Sequence, residues 1–165
     1  MIGLHELGAW DAFLARYEVV LPQSVIDDEA LFHSADAESG RHQRIDLASH
    51  VASGKVAVAS ADSGDLVAVA SRFSAAIDLH AGELEALALL TLHEGFAEHV
   101  FCSADGAAIE AACMVGLSDR CESLEELLAL AGLSKPVQWR FSKDFMERHK
   151  REGGARAVTG YGLAD

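Results

Sequence analysis

The sequence contains few residues that break or cross-link a chain. Its 165 residues include two prolines and three cysteines, and no two cysteines form a CxxC pair. An odd cysteine count, with two of the three in apolar contexts, indicates buried reduced thiols rather than a disulfide framework. We therefore expect a cytoplasmic protein. The cysteines are Cys102, Cys113 and Cys121.

Long apolar runs are also missing. No run reaches the roughly 18 residues needed to cross a bilayer, and the N-terminal residues lack the basic and apolar regions of a signal peptide. We expect no membrane partner. Half of the residues are nevertheless hydrophobic, which predicts a domain with a sizeable core. We expect this domain over residues 1–152, followed by a loosely packed glycine-rich tail over residues 153–165.

Basic residues are scarce, with 13 Lys and Arg against 26 Asp and Glu. The net charge of −13 argues against nucleic-acid binding over the whole surface. The charge is unevenly spread, because 7 of the basic residues and 4 of the acidic ones follow Ser134. A local basic region of this kind is typical of ordinary solvated surface. The alternative is an electrostatic contact for RNA or for an acidic partner.

Several catalytic signatures are absent. The sequence has no GxxxxGK[ST], GxSxG or HExxH motif and no glycine fingerprint after a predicted strand. The eight histidines are scattered, and no two of them have ligand spacing on one element. These absences give no support to a P-loop enzyme or a serine hydrolase, and they argue against a dedicated zinc site. They also disfavour a flavodoxin-like phosphate-binding domain.

Hydrophobic periodicity predicts strands that alternate with helices. Such alternation predicts an α/β sandwich around a mainly parallel sheet. Residues 66–73 fit either a strand or a helix. The other predicted elements are helices over 4–17, 23–33, 45–52, 83–92 and 106–117, a helix over 123–131 capped by Ser123, a basic helix from Ser142 that ends at Gly153 and Gly154, strands over 18–21, 55–60 and 99–103, and a loop over 34–44.

Acidic residues flank the apolar segments of this pattern. Asp28 and Glu29 follow the first strand, Glu83 and Glu85 open the central helix, and Asp105 follows the last strand. Each has an ordinary structural explanation. Acids in the first turn of a helix favour its dipole, Asp105 suits an N-cap, and the first pair suits a solvated face.

The joint placement of these acids favours a second interpretation. If the strands are parallel, the acids gather at the carboxyl edge of the sheet, where such sheets bind ligands. Carboxylates in one place repel each other unless a cation lies between them, and oxygen-only sites suit Mg²⁺ or Mn²⁺. Such an ion can polarise a phosphoryl oxygen and activate water. The pattern therefore predicts phosphodiester hydrolysis.

Three segments, in this order and spacing, resemble a PIN domain, the small metal-dependent nuclease fold of many prokaryotic toxin ribonucleases. They are LPQSVIDDEAL, GELEALALL, and FCSADGAAIEAACMVGL leading into SLEELL, and the resemblance covers nearly all of residues 4–133. It implies a three-layer α/β/α sandwich, a Mg²⁺- or Mn²⁺-dependent ribonuclease, and RNA as substrate. It also implies an antitoxin-like protein partner and a homo-oligomer.

The resemblance assigns roles to individual acids. Asp28 takes the second acidic position, with Glu29 as the alternative, and Glu83 takes the central-helix position, with Glu85 close behind. Asp105 is the acid at the strand end. The basic helix would then hold the RNA backbone. Its candidate contacts are Lys143, Arg148, Lys150 and Arg151.

The chain departs from the family pattern at its first residues. PIN domains begin with a strand that ends in a metal-binding aspartate, and Met1 to Gly3 stand where that strand should already have finished. Asp11 lies too far into the following helix to replace the aspartate. We expect either a shortened N-terminus or a partly lost site. The second possibility, together with the acidic body, favours a non-catalytic PIN-like module that acts through protein contacts or dimerisation.

Overall fold

The computed structural model describes residues 1–28, 32–36, 41–74 and 77–164, and it shows an α/β chain that is mostly helical. No described helix is both long enough and apolar enough to cross a membrane. The described strands are β1 (Val19–Pro22), β2 (Phe32–Asp36), β3 (Arg41–Arg44) and β4 (Val56–Ala59). The described helices are α1 (Ile2–Glu6), α2 (Trp10–Leu14), α3 (Gln23–Asp28), α4 (Leu47–Ala52), α5 (Ser63–Ala70), α6 (Ala81–Leu92), α7 (Gly106–Met114), α8 (Leu124–Leu130) and α9 (Lys143–Thr159).

The parallel part of the fold is the pair formed by β1 and β4. Their register runs from Val19 opposite Val56 to Pro22 opposite Ala59. Both segments are rich in valine, which favours strands because the branched side chain packs well on a pleated surface. Both strands were predicted, and the structure confirms them. The carboxyl ends of β1 and β4 therefore lie side by side.

The predicted loop over residues 34–44 is wrong where the structure describes it. Residues 32–36 and 41–44 form β2 and β3, which pair in antiparallel register, and residues 37–40 lie outside the described chain. The segments FHSAD and RHQR show no apolar alternation. Their pairing depends on backbone hydrogen bonds, which a side-chain pattern does not reveal.

The main core lies where α5, α6, α7 and α9 meet. Every residue of α7 from Ala108 to Met114 is buried, and all of them except Glu110 are apolar, which is typical of a helix in a protein interior. Fully burying one large aliphatic side chain stabilises a fold by roughly 1.5–3 kcal/mol. Completely buried members of this core include Val69, Leu87 and Ile109. A second core joins α1, α2, β4 and α8 through Leu4, Trp10, Phe13, Val56 and Leu128.

The predicted strand over residues 99–103 is reduced to a single parallel bridge between Phe101 and Cys121. Arg120 determines the path of this region. Its guanidinium donates to the carbonyl oxygens of Leu90 at 3.0 Å and His99 at 2.8 Å, and also to that of Phe96. A cation near the carboxyl end of α6 also interacts favourably with the helix dipole. These contacts place the carbonyl groups of Leu90, Phe96 and His99 around Arg120, next to the single bridge at Phe101.

The structure corrects the predicted helix boundaries at both ends of the chain. The N-terminal helix divides into α1 and α2 because Gly8 has a φ of +58°, a conformation that ends a helix and that glycine adopts readily. At the other end, α9 continues through Gly153 and Gly154 as far as Thr159. The predicted end at these glycines is wrong. Beyond α9 the chain stays attached, because the amide of Ala164 donates to the carbonyl of Arg72.

The predictions for α8 and for the ambiguous segment 66–73 have clear outcomes. Ser123 caps α8 by accepting from the amide of Glu126 at 3.1 Å, and Ser123 Oγ in turn donates to the Glu126 carboxylate at 2.9 Å. This confirms Ser123 as the predicted N-cap. The Glu126 carboxylate accepts from the Ser123 hydroxyl, whereas a capping box requires it to accept from the Ser123 backbone amide. Most of the ambiguous segment belongs to helix α5, whose N-cap Asp62 accepts from the amide of Asp65.

Candidate functional site

Glu85 lies at the carboxyl ends of both strands of the parallel pair. Its Oε2 accepts hydrogen bonds from the backbone amide of Ser24 at 2.8 Å and from the Ser24 hydroxyl at 2.6 Å. Its Oε1 accepts from the amide of Ala61 at 3.0 Å. Ser24 is the second residue after β1, and Ala61 is the second after β4. Helix α6 therefore presents a carboxylate at the edge of the sheet where parallel strands end.

The environment of Glu85 favours the charged form. The residue is only 4% exposed, and burial by itself raises the pKa of a carboxyl group. The hydrogen bonds from Ser24 and Ala61 outweigh burial and lower the pKa of Glu85 below its ordinary value. The side chain is an ionised, buried carboxylate at neutral pH.

Glu83, two residues earlier, has a different role. Its Oε2 accepts from the backbone amide of His80 at 3.1 Å, in the capping-box arrangement at the start of α6. Residues two apart point to different sides of a helix. Glu83 therefore serves the helix terminus, while Glu85 reaches the strand ends.

Asp105 is the N-cap of α7. Its Oδ1 accepts from the amides of Ala107 at 2.7 Å and Ala108 at 3.1 Å. Its own amide donates to Ser103 Oγ at 3.0 Å. The N-cap that the sequence offers as the ordinary explanation for Asp105 is present in the structure.

The structure describes the two remaining predicted acids, Asp28 and Glu29, only in part. Asp28 is the last residue of α3, which packs against α6, and its side chain lies outside the described part of the chain. Glu29 lies outside the described residues. Among the described residues, Glu83, Glu85 and Asp105 do not belong to any group of three ligand atoms within 4.8 Å of one another.

A different group of side chains meets that distance criterion, at the interface between α7 and α9. Glu110, His149 and Glu152 each offer one ligand atom within 4.8 Å of the others, so a possible metal-binding cluster exists here. Nδ1 of His149 lies 2.7 Å from Oε1 of Glu110 and 3.5 Å from Oε2 of Glu152. The side chain of Glu110 is 7% exposed, that of His149 is 16% exposed and that of Glu152 is 44% exposed.

Two arginines hold the outer oxygens of this cluster. Nε of Arg156 lies 3.1 Å from Oε2 of Glu110, and Nε of Arg148 lies 3.0 Å from Oε1 of Glu152. Each carboxylate thus has one oxygen on an arginine and the other directed at His149. Arg156 compensates the charge of Glu110, as a buried carboxylate requires, and Arg148 compensates the charge of the more exposed Glu152.

The sequence contains one signal for this cluster. Glu110 stands inside the apolar run GAAIEAACM, and a charged residue there must be buried with a partner. His149 and Glu152 are three residues apart, so they share a face of α9. The separation of 39 residues between Glu110 and His149 is bridged only by the packing of α9 on α7.

Most of the predicted RNA-contact residues pair with acids of this chain. Lys143 lies 2.8 Å from Glu126, and the hydrogen bond and charge of Glu126 raise the pKa of Lys143. Arg148 pairs with Glu152 as described above, and Lys150 lies 3.6 Å from Glu147. Arg151 is exposed and pairs with no acid in the described part of the chain.

The prediction that two of the three cysteines are buried reduced thiols is confirmed. Cys113 and Cys121 are buried free thiols, whereas Cys102 is exposed. Comparison of the chain with family models, with curated proteins and with solved structures yields no match. The support for a function of this chain therefore comes from the geometry of its side chains and from its motif resemblance.

Proposed function

We propose that this chain is a PIN-like, metal-dependent ribonuclease of the toxin type, built on a three-layer α/β/α sandwich. The observation that carries the proposal is Glu85, an ionised carboxylate at the carboxyl ends of the parallel strands β1 and β4. Open parallel sheets bind ligands outside these strand ends. The GELEALALL segment that supports the resemblance contains this residue.

The chemistry of Glu85 suits a hard divalent cation. Carboxylate oxygens are preferred ligands of Mg²⁺ and Mn²⁺. An ionised carboxylate has about four lone-pair sites, of which Ser24 and Ala61 occupy three in this structure. Asp28 or Glu29 and Asp105 would supply further oxygens. A bound Mg²⁺ or Mn²⁺ would supply polarisation of a phosphoryl oxygen and activation of water.

In this proposal α9 contributes to substrate binding. Arg151 is its exposed cation without a described acidic partner, so it is the first residue we expect to contact an RNA phosphate. Lys143, Arg148 and Lys150 would have to exchange their acidic partners for phosphate groups. A toxin-type enzyme would also bind an antitoxin-like protein and assemble as a homo-oligomer.

The test is RNA cleavage by the full chain in Mg²⁺, with and without EDTA. We expect cleavage that EDTA abolishes and that Glu85→Gln removes. Glu94→Gln is the matched control, because Glu94 is an exposed acid just beyond the same helix. Cleavage that persists in EDTA, or an equal loss in both variants, would contradict the metal mechanism at Glu85.

The second candidate is a non-catalytic PIN-like interaction module. It is favoured by the commitment of the predicted acids to backbone groups, since Glu83 and Asp105 cap helices and both oxygens of Glu85 accept from the strand ends. Isothermal titration with Mn²⁺ separates the two functions. Absence of both Mn²⁺ binding and cleavage, with a defined oligomer in solution, would select the interaction module.

A further inference from the structure

We propose that Glu110, His149 and Glu152 bind one first-row transition-metal dication, such as Zn²⁺ or Co²⁺, at the α7–α9 interface. Its three ligands lie on α7 and α9, whereas Glu85 lies on α6, so this site shares no residue with the sheet edge. It consists of one imidazole and two carboxylates. Imidazole with oxygen ligands suits Zn²⁺ and its first-row neighbours, whereas Mg²⁺ prefers oxygen alone.

The distances between the ligand atoms already approach those of a coordination sphere. Metal–ligand bonds of about 2.0–2.2 Å place tetrahedral ligand atoms about 3.4 Å apart. Nδ1 of His149 lies 3.5 Å from Glu152 and 2.7 Å from Glu110. A cation would replace the proton at Nδ1, and the contact to Glu110 would widen by less than 1 Å.

The three side chains are oriented before any cation binds. Arg156 and Arg148 hold the outer carboxylate oxygens, which leaves one inner oxygen of each for the ion. Hydrogen bonds to the free atoms of ligating groups are what orients metal ligands in proteins. The charges of two glutamates and two arginines cancel, and an imidazole that binds a metal is neutral, so the dication would be the only net charge of the cluster.

Packing also restricts the imidazole. A Cβ on Gly106 would lie 2.7 Å from Nδ1 of His149, so the ring rests directly on the first residue of α7. The Phe145 ring centroid is 4.5 Å from that of His149. Only a glycine at position 106 permits this close approach. Glu152 is the most exposed of the three side chains, at 44%, so solvent reaches the cluster from its side.

The simpler alternative is that a proton at Nδ1 bridges the two carboxylates and that no metal binds. Titration of the full chain with Co²⁺ decides between the two, because the visible d–d absorption of Co²⁺ reports its coordination. With excess Mg²⁺ present to occupy an oxygen-only site at Glu85, we expect one equivalent of Co²⁺ to bind and to be displaced by Zn²⁺. His149→Gln and Glu152→Gln should each weaken binding by about tenfold or more, because loss of an orienting partner alone costs about 10–100-fold.

The matched control is Glu147→Gln. Glu147 is on the same helix as Glu152, is 41% exposed against 44%, and also contacts a basic residue three positions away. It should leave Co²⁺ affinity unchanged. Glu85→Gln should also leave it unchanged, which separates this site from the proposed nuclease site. Absence of Co²⁺ binding, or an equal loss in the Glu147 and Glu152 variants, would overturn the proposal.

Discussion

The backbone of Gly153 lies directly against that of Glu110. A Cβ on Gly153 would stand 2.6 Å from the carbonyl oxygen of Glu110 and 2.8 Å from Cβ of Cys113. Helix α9 thus packs on α7 with almost no side chain between them at this point. The close approach brings His149 and Glu152 on one helix to Glu110 on the other.

The first prediction concerns this helix contact. Gly153→Ala should destabilise the protein by about 1–3 kcal/mol, because a backbone carbonyl cannot move aside as a flexible side chain can. The neighbouring Gly154 has nothing within 4 Å of its virtual Cβ. Gly154→Ala should therefore stabilise by about 0.5–1 kcal/mol through helix propensity. Urea unfolding of the two variants checks this, and equal shifts would contradict the packing argument.

The second prediction concerns Glu85. Because Ser24 and Ala61 lower the pKa of Glu85, its contribution to stability is complete above the pKa of an unfolded glutamate, about 4.3. It is lost as the pH falls through the lower folded value. Glu85→Gln should cost about 1–3 kcal/mol at pH 7, since a glutamine cannot accept from both strand ends. It should also flatten the acid side of the stability profile.

Free energies of unfolding measured from pH 7 down to pH 3 test the Glu85 prediction. Glu94→Gln serves as control, because Glu94 is exposed and lies just after α6. If the Glu85 variant keeps the wild-type pH dependence, the hydrogen bonds from Ser24 and Ala61 do not hold the carboxylate as described.

The third prediction separates capping from ligation at Asp105. Its Oδ1 accepts from two amides of the first turn of α7. Asp105→Ala should cost about 0.5–2 kcal/mol, while Asp105→Asn should cost much less, because asparagine is an equally good N-cap. If Asp105 also helps to hold Mn²⁺, Asp105→Asn should still weaken Mn²⁺ binding. Thermal unfolding and Mn²⁺ calorimetry on both variants measure the two roles separately.

The fourth prediction concerns RNA and the basic face of α9. Arg151→Gln should weaken single-stranded RNA binding more than Arg148→Gln, because Arg148 already pairs with Glu152 at 3.0 Å. Loss of one phosphate contact should also reduce the slope of log affinity against log salt by about 0.7. Fluorescence anisotropy at several salt concentrations gives both quantities. Salt-independent binding, or equal effects of the two variants, would argue against phosphate contacts by Arg151.

Local sequence patterns predicted those elements whose signals lie within a few residues. The valine-rich runs form β1 and β4, and Ser123 caps the start of α8. Local patterns failed where a contact came from elsewhere in the chain. Gly153 was predicted to end a helix, but it lies inside α9, where it packs directly against the backbone of α7. The pattern of residues 99–103 predicts a strand, but the structure has only one bridge there, and the Arg120 side chain donates to backbone carbonyl groups of the preceding residues.

The candidate sites also combine features that follow from local sequence with features that depend on distant contacts. The sequence by itself determined that acids follow the strands and open the helices, because N-caps and first-turn acids act within one turn. Only the tertiary structure decided that Glu85 reaches both strand ends while Glu83 and Asp105 serve their own helices. The tertiary structure also brings Glu110 to His149 and Glu152. Glu110 and His149 are 39 residues apart, and they meet because α9 packs closely on α7 at Gly153.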